Sequence, residues 1–268
     1  MKSLYCACLL AASMLMPTQA QADDLDQLKA KGEIVIGVKD SSPPFGEFNP
    51  KTKTVMGYDI DMGVAVAKRM GLKPVFKTVE TGNRVQLLLD RKIDLIMASL
   101  GKTPDVAKQV DLSYGYFMNQ TKALALKGVI RSYDDYYTVS IGVTAGGPLE
   151  KLMRKQFPSA ELVTAPDKPE LTAMLTSGKV QSIVAAEALL ISIWNELPNK
   201  QRYEMPDYPI NVNPIAIGMR KGETKLRTAI NRALTEIEDS GEAERIYERW
   251  FGANTTTPIP RTFRINRY

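Results

Sequence analysis

The apolar positions of this chain fall into short blocks whose period keeps changing. Asp24 to Lys31 reads as a helical lead-in, and Glu33-Ile34-Val35-Ile36-Gly37-Val38 as a buried strand. Ser42-Pro43-Pro44-Phe45-Gly46 must be a turn or loop, because two prolines remove backbone donors. From Asp59 to Met70 the spacing predicts a helix with Ile60, Val64, Ala67 and Met70 on its inner face, two acids in its first turn and Gly71 as its stop. A strand over Lys73 to Val79, a short helix over Asn83 to Asp90 and a very apolar strand over Ile93 to Ser99 follow.

A second series repeats the order. It predicts strands over Thr138–Val143, Glu161–Thr164 and Val180–Ala185. Its helices are Pro148–Gln156, Pro169–Ser177 and Ala188–Leu197. A strand over Pro214–Met219 and one or two helices within Lys225–Trp250 close the chain. Alternating strands and helices imply parallel pairing and an α/β layer architecture. The two series are joined near Thr121–Leu126 and Asn211–Ile217, both extended in pattern. Two crossings make the second unit an insertion in the first: residues 23–120 and 214–268 form one lobe, 121–213 the other. A cleft between lobes that meet at a hinge is the natural place for a ligand.

The first residues change the compartment. Met1-Lys2, an apolar run from Leu4 to Met16 and Ala20-Gln21-Ala22 before two aspartates form a secretory signal peptide, residues 1–22. The run is short of the roughly 20 residues a membrane anchor needs, and Cys6 and Cys8 lie too near its start for a lipoprotein site. Cleavage after Ala22 removes both cysteines, so no disulfide framework is available to the exported chain. At about 250 residues none is needed.

Composition then excludes chemistry. There is no histidine in the 268 residues. Ser-His and Cys-His nucleophilic systems are ruled out, as are the usual zinc and copper ligand sets, and no cofactor is expected. The net charge of +5 is mild and its signs are interspersed, so no nucleic-acid partner is expected. The densest basic run, Arg261, Arg264 and Arg267, reads as a solvated tail.

Several segments, in order and over nearly the whole exported chain, resemble the polar amino-acid family of periplasmic solute-binding proteins. They are Gly37-Val38 with Pro43-Pro44-Phe45-Gly46, then Gly57-Tyr58-Asp59-Ile60-Asp61 and Asn83-Arg84. Ile93 to Leu100 leads into Thr103-Pro104, and Val110-Asp111-Leu112-Ser113 follows. Met219-Arg220-Lys221-Gly222 and Ile246-Tyr247-Glu248-Arg249-Trp250-Phe251-Gly252 complete the match. The resemblance implies a two-lobed Venus-flytrap of the type II periplasmic binding protein fold, each lobe a mixed, mainly parallel sheet flanked by helices. It also implies a periplasmic monomer that binds a small-molecule solute and delivers it to an ABC transporter permease in the inner membrane, without being an enzyme.

The resemblance further implies where a ligand sits. Relatives hold an α-carboxylate with the loop after the third strand and a nearby arginine, because a buried carboxylate needs oriented N–H donors and a bidentate cation. Here Ser99, Gly101 and Thr103 fit the loop, but Val106 takes the arginine position, with Lys102 as a possible substitute. Losing such a contact costs about 2–5 kcal/mol when its partner charge stays buried. The aspartate that accepts the α-ammonium in relatives is replaced by Ala186, beside Glu187, which either faces the cleft or caps the next helix. Arg84 matches an arginine that contacts distal carboxylates in acid-binding relatives; the alternative is a surface ion pair. Ser42 and Phe45 occupy the first loop, where relatives cover the ligand; the alternative for Phe45 is core packing. In the second lobe, Thr144 and Gly147 belong to a glycine-bearing loop ahead of a helix, which either meets an anion or only turns. Of Tyr58, Tyr114 and Tyr116, at least two should be interior packing. The expected solute is small, polar and anionic: an amino-acid relative or a carboxylate without the α-amino group. A dehydratase-like enzyme using Glu187, or a sensor subunit, would share the fold.

Overall fold

A computed structural model describes residues 24–265; the signal-peptide reading and Arg267 lie outside them. Helix α1 (Asp24–Lys31) leads into β1 (Glu33–Val38), whose Ile34, Ile36 and Val38 are fully buried. A small antiparallel sheet, β2 (Ser41–Ser42), β3 (Gly46–Asn49) and β4 (Thr54–Met56), occupies the stretch read as a turn. Then come α2 (Tyr58–Arg69), β5 (Lys73–Thr78), α3 (Arg84–Leu89), β6 (Leu95–Ile96) and α4 (Pro104–Gln109).

Helix α2 stops as expected: Gly71 has φ of 69°, and the Leu72 amide reaches back to the Ala67 carbonyl at 2.9 Å. Its inner face differs from the expected one. Ile60 and Ala67 are buried, yet Val64 is 42% exposed, while Met62, Ala65 and Val66 turn inward. The helix is covered on two flanks, by β5 on one and by the later helices on the other, so a single stripe does not describe it.

One feature organises everything else. Strand β7 runs unbroken from Asp111 to Leu126 and belongs to both lobes. Along its first two thirds it pairs antiparallel with β12 (Asn211–Met219), from Asp111 opposite Met219 to Thr121 opposite Asn211. Beyond Thr121 it pairs antiparallel with β10 (Ser182–Ala186), and its last residues pair with β11 (Tyr203–Glu204). The main sheet therefore reads β5-β1-β6-β12-β7-β10-β8-β9, with β8 (Ser140–Thr144) and β9 (Glu161–Ala165) parallel on the far side. Irregularities in the β12–β7 register fall at Ile215–Gly218.

The second lobe is completed by α5 (Pro148–Gln156), α6 (Lys168–Thr176) and α7 (Glu187–Glu196). The chain then returns through α8 (Thr224–Asp239) and α9 (Glu242–Phe251) to the first lobe. The two lobes keep distinct cores. The first is built on an aromatic cluster: Phe45, Tyr58, Phe117, Tyr247 and Phe251 meet at centroid distances of 4.8–6.2 Å, each such pair adding about 0.5–1.5 kcal/mol beyond area burial. The second packs Leu171, Leu175, Ile183 and Leu190 on one sheet face and Tyr136, Ile141 and Phe157 on the other.

The tail after α9 corrects an expectation. Arg261 is not solvated: its side chain is 8% exposed, lies between Glu238 and Glu244, and stacks near Tyr247 and Phe263. Ile259, Phe263 and Ile265 around it are buried. Their apolar area draws the segment onto the first lobe, and the buried Glu238 carboxylate then needs the guanidinium as its partner.

Candidate functional site

The crossing strands form the floor of a crevice between the lobes. Its better enclosed part has a volume of about 520 Å³. The first lobe contributes Ser41, Ser42, Pro43 and Phe45 from the β2–β3 turn and Ser99 and Gly101 from the loop after β6. The second lobe contributes Ala186, Ala188 and Leu189 from the start of α7, with Lys168 and Ser192. Asn119, Asn213 and Ile215 come from the crossing strands. A neighbouring hollow of about 460 Å³ shares Asn213 and reaches Thr103, Asp105 and Pro148. A third, about 550 Å³, lies on the outer face of the first lobe against α1, α2 and α8; its walls come from one lobe alone.

Of the residues singled out in the sequence, the structure brings Ser42, Phe45, Ser99 and Gly101 together in this crevice. The loop carrying the last two is zipped to β12: Gly101 bridges Ile215, and the Lys102 amide donates to the Pro214 carbonyl at 2.7 Å. The Lys102 ammonium turns away, to the Ser113 carbonyl at 3.4 Å. Thr103 is the N-cap of α4, its hydroxyl accepting the Val106 amide at 3.3 Å, and it borders the neighbouring hollow instead. Thr144 and Gly147 are not among the lining residues. Beside them, the Gly146 amide donates to Glu150 Oε2 at 2.7 Å, so a side chain of α5 already meets the loop's donor. That contact, with Arg154, holds the Glu150 carboxyl below its ordinary value. Glu187 pairs with Lys122 at 2.8 Å, both side chains nearly buried, and does not line the crevice. Arg84 donates to the Ala98 carbonyl, just behind the Ser99 loop. Tyr58 and Tyr116 are fully buried and Tyr114 is 39% exposed, in line with interior packing for two of the three.

Sequence reasoning missed the lysine. Lys168 opens α6 after the N-cap Asp167, and its ammonium donates to Ser192 Oγ at 3.0 Å and Glu196 Oε1 at 2.7 Å on α7. Only the fold brings these helices together. An ammonium has three donors, so one remains beyond these two partners. A readable signal did exist for Asn119 and Asn213. They interrupt otherwise apolar strand patterns, and they sit directly opposite each other in the β7–β12 register.

The crevice lining carries a single charge, on Lys168, which is paired from behind by Glu196. No carboxylate is among the lining residues. Ala186 is the N-cap of α7 and offers no side-chain cap, and Ala186, Ala188 and Leu189 at that positive helix end line the crevice. Opposite, Ser99 has φ of 51°, in the left-handed region, and its buried Oγ has no hydrogen-bond partner. Its amide donates to Asp59 Oδ2 at 2.9 Å, and Tyr116 Oη donates to Asp59 Oδ1 at 2.7 Å. Asp59 is completely buried; burial pushes its carboxyl up to about 7, against the pull of those two hydrogen bonds and of Arg84 and Lys39.

The profile of the bacterial extracellular solute-binding proteins, family 3, matches residues 34–253. An ABC transporter glutamine-binding protein of Bacillus subtilis is 29% identical over 92% of this chain and 94% of its own length. An L-glutamate/L-aspartate-binding protein of Pseudomonas aeruginosa is 27% identical over 96% and 89%. Among solved structures, an ancestral arginine-binding protein bound to glutamine superposes with a TM-score of 0.64 at 30% identity, over 82% of this chain and 98% of that one. No helix among the described residues is long and apolar enough to cross a membrane. A profile match spanning both lobes and the crevice between them places this chain in the bacterial extracellular solute-binding proteins of family 3, the amino-acid binding proteins of ABC importers.

Proposed function

We propose that this chain is the exported binding component of an ABC importer and that its solute is a small anion, an amino-acid relative or a simple carboxylate. The observation that carries the sign is the crevice wall, where Lys168 is the one ionised side chain. In this reading the solute's negative end lies against Lys168, Ser192 and the uncapped first turn of α7. Its other end meets Ser42, Phe45, Ser99 and Gly101 on the opposite wall. Division of the chain into 23–120 with 214–268, and 121–213, puts both crossings within β7 and β12. A solute that touches both walls only when they are shut stabilises the closed form by that difference in contacts. The closed form is what the permease then receives.

The absence of an acid at Ala186 favours a carboxylate without an α-ammonium, since no carboxylate lines the crevice to pair with the charged amine. Thermal unfolding of the purified protein against matched pairs, each an α-amino acid and its deamino counterpart, tests this. A solute at 100 times its dissociation constant adds about 2.7 kcal/mol of stability. Lys168→Met should remove one charge-assisted hydrogen bond, about 1.5–3 kcal/mol, and so weaken binding about tenfold or more. Unchanged affinity in that variant would remove the lysine from the site. A shift with arginine and none with any acid would reverse the sign assigned to the solute.

A further inference from the structure

Behind the first-lobe wall lies a set of charged groups that does not line the crevice. The peptide unit joining Ala98 to Ser99 is held at both ends. Its carbonyl accepts the Arg84 guanidinium, from α3, and its N–H donates to Asp59 Oδ2 at 2.9 Å, from α2. These contacts fix the plane of the peptide that immediately precedes the left-handed Ser99, a conformation costly for a residue with a Cβ and kept only where the surroundings enforce it. The other Asp59 oxygen accepts Tyr116 Oη at 2.7 Å, and the Tyr116 carbonyl accepts Tyr58 Oη at 2.7 Å. Tyr116 lies on β7, the strand shared by the two lobes. The grip on the crevice loop and the crossing strand therefore meet at one carboxylate.

We propose that Arg84 and Asp59 are a positioning pair for the crevice, clamping the Ala98–Ser99 peptide from its two ends, and that proton loss from Asp59 tightens this clamp on the loop that faces the solute. The inference rests on the crevice being the solute site, but its direct readout needs no solute. An ionised carboxylate accepts a backbone N–H more strongly than a neutral one. The groups facing Asp59 are Tyr58 on its own helix, Tyr116 on β7, Arg84 on α3 and Lys39 after β1, with Glu80 facing Lys39 in turn. Both cations lower the carboxyl, favouring its ionised form, while burial raises it, and burial lowers Lys39 and Arg84 themselves. This is how a buried acid without a cation in direct contact comes to titrate near 7 in a chain without histidine.

The test is the backbone amide resonance of Ser99 in isotope-labelled protein, followed from about pH 5 to about pH 9. The expected result is a single titration centred near 7, absent in Asp59→Asn, whose amide keeps the shape but carries no titratable proton. Arg84→Gln should move the midpoint to higher pH, because the cation that favours the ionised form is gone. Amide exchange at Ser99 should be at least about tenfold faster in Asp59→Asn than in the unaltered protein above the midpoint, where the ionised acceptor is lost. A flat Ser99 resonance, or a titration that persists unchanged in Asp59→Asn, overturns the proposal. Should Asp59→Asn not fold, the half-buried Arg84 supplies the decision: a midpoint that stays in place in Arg84→Gln overturns it. Absence of any bound solute would count against the functional reading above and leave this measurement intact.

Discussion

Two aspartates of the first lobe are almost equally buried and behave oppositely. Asp24, 2% exposed at the start of α1, has Arg91 at 2.7 Å and the Arg220 Nε at 2.6 Å. Burial raises its carboxyl, but the two guanidiniums outweigh it, and the net shift is downward. Asp59, fully buried, has only neutral donors in contact and is pushed up to about 7. Both are shut off from solvent, but Asp59 lies deeper in the lobe, and a cation touches the oxygens of Asp24 alone. The first acid is a fixture, tying α1 to the Leu88 and Ile93 carbonyls through Arg220. The second stays poised and sits under the crevice.

The contrast can be broken most forcefully at Arg220. Arg220→Ala leaves the buried Asp24 with Arg91 as its one cationic partner and frees two carbonyls, so unfolding free energy in urea should drop by about 3–5 kcal/mol. Asp59→Asn should act through pH. Because the folded carboxyl lies above its unfolded value, the proton it holds contributes stability at low pH that is lost as pH rises through about 7. Between about pH 5 and pH 8 the unaltered protein should lose about 2–3 kcal/mol more than the variant does, at 1.4 kcal/mol per unit on the steep limb. Asp24→Asn should show the reverse sign. Its lowered carboxyl contributes stability above the unfolded value that is lost as pH falls, so the variant should be weaker by about 1.5–3 kcal/mol at neutral pH and converge with the parent in acid. Lys168→Met, which touches neither network, should change stability by no more than about 0.5 kcal/mol, while solute binding suffers. A large unfolding effect there would make Lys168 part of the framework instead of the binding wall.

Much of the architecture was legible because local signals agreed with it. Pro148 to Gln156 is the helix its proline start predicts, and Gly71 ends α2 where the pattern stops. The long strand was not. Thr121–Leu126 reads as extended, but Asp111–Gln120 contains Tyr114 outward, Gly115 and four polar residues, and only pairing with β12 reveals one element. The apolar run at Ile93–Ser99 overstates its strand, which is two residues long, because burial alone accounts for its composition. At the site, Ser42, Phe45, Ser99 and Gly101 could be found since their loops carry recognisable local sequence. Lys168 could not, being brought to the crevice by the packing of α6 beside α7. Arg84 was legible as a candidate contact for a distal carboxylate but not as a backbone clamp, since the direction of a side chain follows from the turn of a fold.

The shared strand has a mechanical consequence. Sixteen residues at about 3.3 Å each make a beam about 53 Å long. Its partner's register slips at Ile215–Gly218, on the first-lobe side, and bulged pairing bends more readily than a regular ladder. A beam that flexes near one end is a lever: a rotation too small to disturb either core sweeps the far lobe's surface through several ångströms. In the proposed closure, the motion would therefore be large at the rim while remaining slight at the floor.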